Sequence, residues 1–112
     1  MKDKSFCTTG NKGFKITLPN GVTVSTQFGY CNYSDNCYGH EDCKEDDHFK
    51  FEREANKVSS DTAEIAIFAK DCEWITEKYM EQSKRHEHAD QVIGYVDVNE
   101  WLEIIDWARS YE

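Results

Sequence analysis

Gly13-Phe14-Lys15-Ile16-Thr17-Leu18-Pro19-Asn20-Gly21-Val22-Thr23-Val24-Ser25-Thr26-Gln27-Phe28 is the stretch whose reading decides the fold. Phe14 to Leu18 alternates apolar and polar side chains, which marks a half-buried strand. Val22 to Phe28 alternates again, with Val22, Val24 and Phe28 on one face and Thr23, Ser25 and Gln27 on the other. Asn20-Gly21 between two such runs is the strongest short-range hairpin signal, because a two-residue turn needs positive φ at both positions. Pro19 precedes the turn, where a missing N–H is tolerated.

The rest of the chain adds partners to this hairpin. Residues 1–12 are polar, basic and unpatterned and read as a flexible or loosely docked arm. Thr62-Ala63-Glu64-Ile65-Ala66-Ile67-Phe68-Ala69 reads as a third strand, with Ala63, Ile65 and Ile67 on one side. Lys70-Asp71-Cys72 reads as a turn, and Glu73-Trp74-Ile75-Thr76 as the start of a fourth strand. Residues 77–91 are polar, a solvated helix or an excursion, and Val92–Val96 is a short apolar segment. The last element is the best-marked helix. Asp97 is a good N-cap, Glu100 completes a capping box, and Val96 and Trp101 are spaced for a hydrophobic staple. Val98, Trp101, Leu102, Ile105 and Ala108 form one apolar stripe, widened by Ile104 and Trp107, with Glu103 and Asp106 facing water. The expected fold is one α+β domain over residues 1–112. An antiparallel sheet of four to five strands carries the C-terminal helix on one face, with Trp101, Leu102 and Ile105 over Val22, Val24, Phe28, Ile65 and Ile67.

Composition narrows the function classes. At 112 residues one core is the default, and 15 aromatic side chains are enough to build it. No apolar run approaches the ~20 residues needed to span a bilayer. The first ten residues lack the apolar core of a signal peptide, so the expected location is the cytoplasm. There Cys7, Cys31, Cys37, Cys43 and Cys72 are expected as reduced thiols, and their odd number argues against a closed disulfide framework. The net charge is −9, which disfavours direct nucleic-acid binding. The charge is uneven: residues 1–28 carry four basic and one acidic side chain, residues 29–112 nine basic and 21 acidic.

Residues 29–60 have a different character. A 32-residue structureless loop is improbable in a small domain, so the segment is disordered, contains a short helix, or is organised by a ligand. Cys31-x5-Cys37-x2-His40-x2-Cys43-x4-His48 offers thiolates and imidazoles suited to zinc, with Cys37, His40, Cys43 and either His48 or Cys31 as ligands. The spacing is not the paired Cys-x2-Cys of common zinc modules, and the competing reading is a surface loop. His86-Glu87-His88 reads as solvated surface. A phosphate loop, a His-Glu-x-x-His helix and a nucleophile elbow are all missing from the sequence, so an enzyme is not expected. The acidic density peaks at Glu41, Asp42, Glu45, Asp46 and Asp47. Carboxylates in such a run can occupy phosphate positions against Arg and Lys of a partner; the competing reading is plain solubility.

The hairpin Gly13–Gly29, the segment Asn32-Tyr33-Ser34-Asp35-Asn36, the strand Ser60–Phe68, Trp74-Ile75, and Gly94-Tyr95-Val96 with its capped helix resemble a family of small uncharacterised phage and prophage proteins. The resemblance spans about half the chain, and its motifs are structural. The family commonly has a cysteine after its Asn-Tyr pair, whereas here Cys31 precedes Asn32 and Ser34 follows Tyr33; residues 37–58 and 77–91 look like insertions. The resemblance implies this fold and a phage origin; together with the acidic cluster it leads to the expectation of an anti-defence protein. The expected activity is inhibition of a host nucleic-acid-processing defence protein, such as a CRISPR nuclease, through the acidic surface at 41–47. One alternative is sequestration of a nucleotide immune signal by Tyr30, Asn32, Tyr33 and Asn36, residues that serve equally as turn chemistry. Another is a small zinc-binding accessory protein.

Overall fold

The computed structural model describes residues 5–9, 12–29, 32, 34, 59–83 and 91–112. Five strands form one antiparallel sheet in sequential order: β1 Ser5–Thr9, β2 Gly13–Thr17, β3 Thr23–Gln27, β4 Ala63–Phe68 and β5 Ile93–Val96. Helix α1 spans Thr76–Ser83 and helix α2 Val98–Arg109. The chain is therefore α+β, as its periodicities predict. Among the described residues no helix is long and apolar enough to cross a membrane.

The central hairpin forms, but with a different turn. Gly21 N–H donates to Leu18 O and Leu18 N–H to Val22 O, both at 2.8 Å. Pro19-Asn20-Gly21 is thus a three-residue loop, a tight turn followed by a glycine bulge. Only Gly21 takes positive φ, at 87°; Pro19 presets the turn's first central position. Register follows, with Thr17 opposite Thr23 and Ile16 opposite Val24.

Three other sequence expectations need correction. Residues Ser5–Thr9 are not part of a free arm: they pair with β2 along the whole strand, Phe6 opposite Ile16 and Thr8 opposite Phe14. The free edge of β2 is a template for such pairing. Gln27 Nε2 reaches across β2 to donate to Thr9 Oγ1 at 3.2 Å. Glu73–Thr76 does not open a strand. Trp74 makes one isolated bridge to Phe68, Ile75 N–H donates to Ile67 O, and α1 begins at Thr76. Thr76 is fully buried, and its hydroxyl accepts from Ile67 N–H at 3.0 Å. That side-chain bond occupies the β4 group that a continuing strand would have paired. Finally, the helix stripe is rotated. Ile104 and Ala108 are fully buried, with Trp101, Ile105, Trp107 and Tyr111 packed beside them, while Val98 and Leu102 are 66% and 52% exposed. Leu102 therefore does not cover the sheet.

The core lies between one sheet face and the two helices. Val24, Ile65, Ile67, Ile75 and Ile104 are fully buried at its centre. Ala63 and Ile65, on either side of Glu64, pair with Val96 and Ile93 across an irregularity. Two β5 residues, Gly94 and Tyr95, thus face one β4 residue, which is a bulge. Tyr95 takes φ 54° there, and the extra residue lets Ile93 and Val96 both point inward although three positions apart. On the opposite sheet face Thr17 and Thr23 share a hydroxyl hydrogen bond at 2.9 Å, Gln27 donates to Ser25, and Phe68 meets Trp74 edge-on.

Two contacts fix α2. At its start Asp97 Oδ1 accepts from Glu100 N–H at 2.8 Å, the predicted cap, while the Glu100 carboxylate accepts from Tyr79 of α1. At its end Asn20 Nδ2 donates to the carbonyls of Ala108, Arg109 and Tyr111 at 2.8, 3.2 and 3.1 Å. A hairpin residue therefore caps a helix 88 positions away, adding a donor where the helix runs out of its own amides; Ala108 O also accepts from Tyr111 N–H at 3.2 Å.

Candidate functional site

Trp101 organises the main cleft. Its indole Nε1 donates to Thr26 Oγ1 of β3 at 2.8 Å. Phe14 of β2 meets it edge-on, ring centres 6.2 Å apart at 69°, the geometry favoured by aromatic quadrupoles. The indole thereby holds the first turns of α2 off the sheet, and a cleft of about 350 Å³ opens between them. Its described walls are aromatic (Phe14, Phe28, Trp101) and aliphatic (Ala63, Val96, Val98). Ser59, Ser60, Asp61, Thr62 and Asp97 supply polar groups at its margin. Within that margin Ser60 Oγ accepts from Thr62 N–H, and one Asp97 oxygen caps α2. The lining thus combines carboxylate- and hydroxyl-bearing residues with aromatic walls.

A second feature adjoins it. Val98 lines the cleft and continues outward on α2 to the exposed Leu102, four residues on. Exposed Asn99, Glu103 and Asp106 lie beside this apolar strip. The helix layer as a whole is acidic. Residues 70–83 and 97–112 hold Asp71, Glu73, Glu77, Glu81, Asp97, Glu100, Glu103, Asp106 and Glu112 against Lys70, Lys78 and Arg109. Lys78 donates to the Tyr111 hydroxyl at 3.0 Å. That bond, with the Coulombic effect of Tyr111 and then of Glu73 and Asp71, raises the Lys78 pKa above its ordinary value.

Of the sequence-predicted site residues, only Asn32 is described. Asn32 Oδ1 accepts from Gly29 N–H at 3.0 Å, and its own N–H donates to Gly29 O; its side chain closes a turn. Tyr30, Tyr33 and Asn36, the acidic set Glu41, Asp42, Glu45, Asp46 and Asp47, and the zinc set Cys37, His40, Cys43 and His48 (with Cys31) lie outside the described residues. So do His86 and His88. Among the described residues no group of three or more His, Cys, Asp or Glu is placed to hold a metal, and Cys7 and Cys72 are exposed free thiols. The Trp101 cleft was missed by sequence reasoning, which assigned Trp101 to the core. The spacing that could have suggested it, Phe14 and Thr26 facing the same side of a hairpin, says nothing about where a helix settles. Comparison with family models, with curated proteins and with solved structures finds no match.

Proposed function

We propose that the protein is a non-enzymatic inhibitor that binds a basic, nucleic-acid-processing partner. By the phage-type resemblance that partner is a host defence protein, with a CRISPR nuclease as the leading case. The observation that carries the reading is the exposed pair Val98 and Leu102 set in an acidic helix layer. Isolated surface carboxylates only solvate a protein. Carboxylates flanking exposed apolar side chains combine electrostatic steering with a patch that gains by losing water. A nucleic-acid groove, lined with Arg and Lys to neutralise phosphates, has the complementary charge. The acidic tract Glu41–Asp47 extends the same sign of charge along the sequence.

The experiment is capture of a purified CRISPR nuclease by the full chain, followed by the nuclease's DNA binding in a mobility-shift assay. Capture that weakens with rising salt, and loss of DNA binding, support the reading. Two charge-reversed variants locate the surface: Glu103→Lys with Asp106→Lys, and Glu41→Lys with Asp42→Lys and Glu45→Lys. If both capture the nuclease as the native chain does at low ionic strength, the acidic-surface mechanism is wrong.

A further inference from the structure

We propose that the Trp101 cleft receives the guanidinium group of an arginine side chain supplied by the protein partner. The proposal rests on the reading of that partner as basic, and it names the contact. The cleft's volume, about 350 Å³, sits at the small end of ligand sites, which run from roughly 300 to 1,000 Å³. That suits one side chain better than a cyclic oligonucleotide. Its walls include Phe14, Phe28 and Trp101, and Asp61 and Asp97 stand at its margin.

The sign of the occupant follows from the charges. The N-terminus of α2 contributes about half a positive charge, already engaged by Asp97 through the Glu100 amide. Two full carboxylate charges outweigh it, so phosphate is repelled and a cation attracted. Among organic cations, guanidinium fits best. It is planar, stacks on aromatic faces, is weakly hydrated and pairs with a carboxylate through two parallel hydrogen bonds. A strongly hydrated ammonium loses more on entering aromatic walls. Val98 joins the cleft to the exposed strip, so an arginine here would sit at one end of a continuous docking surface.

The test is titration of the full chain with acetyl-arginine methylamide, followed through the Trp101 indole N–H resonance and assigned with Trp101→Phe. Saturable movement of that resonance is expected. Acetyl-citrulline methylamide, the neutral isostere, should bind at least about tenfold more weakly. Asp61→Asn with Asp97→Asn should weaken the arginine ligand by about tenfold or more without loss of the helix, because asparagine is as good an N-cap as aspartate. Equal response to the citrulline ligand, a response to adenosine monophosphate in place of arginine, or an unaffected double variant overturns the assignment. If the nuclease is captured through Glu103 and Asp106 while the arginine ligand leaves the indole unmoved, the cleft proposal fails alone. If the ligand binds while the nuclease is never captured, the partner reading fails instead.

Discussion

Replacing Asn20 removes the link between the first hairpin and the end of the last helix. Asn20 Nδ2 has two hydrogens shared among three carbonyls, those of Ala108, Arg109 and Tyr111, and Oδ1 accepts from Val22 N–H at 3.1 Å. Three hydrogen bonds at about 1 kcal/mol each set the upper scale. Water can reach part of the site, so Asn20→Ala should cost about 2 kcal/mol. That is a large share of the roughly 5–15 kcal/mol that holds such a domain together, and corresponds to about 10 °C in Tm. Asn20→Asp is the sharper test. It retains the acceptor for Val22 but turns a negative oxygen toward three carbonyls at the negative end of a helix. It should therefore be at least as damaging as alanine at neutral pH. The assay is urea unfolding followed by tryptophan fluorescence, with an unchanged slope as the check that only stability has moved. An alanine variant within ~0.5 kcal/mol of the native chain, or an aspartate variant clearly more stable than the alanine one, would refute this account of how α2 is anchored.

Three further substitutions test other joints. Thr76→Val strips the hydroxyl from the buried Ile67 amide and should cost about 1–3 kcal/mol in urea unfolding, whereas Thr76→Ser should recover most of it. Gly13→Ala places a methyl group on the carbonyl oxygen of Thr26 across the β2–β3 pairing; because the obstacle is backbone, the variant should lose more than about 2 kcal/mol, with faster amide exchange in β2 and β3. Cys72 occupies φ 70° in an exposed turn, so Cys72→Gly should be neutral or stabilising by up to about 1 kcal/mol, and Cys72→Val destabilising by a similar amount, both read from Tm.

The sequence by itself determined the elements whose cause is local. Alternation in Phe14–Leu18, Val22–Phe28 and Ala63–Phe68 made strands because side chains on a strand change face at every residue. Asp97 made a helix start because a short acceptor three residues before a free amide satisfies it wherever the helix lies. Tertiary structure decided what depends on distant groups. Thr76 turned an expected strand into a helix start by bonding to Ile67 of β4. Trp101 and Ile105 lie on both the expected and the observed helix stripe. The choice between them, which exposed Val98 and Leu102, was fixed by anchors at both ends: Trp101 to Thr26 and Asn20 to the last carbonyls. The cleft has the same origin. Phe14, Thr26, Asp61 and Trp101 are ordinary residues in their own segments, and no local rule joins them. They line one cleft because the half-buried indole donates its N–H to the Thr26 hydroxyl on the sheet, 75 residues earlier in the chain.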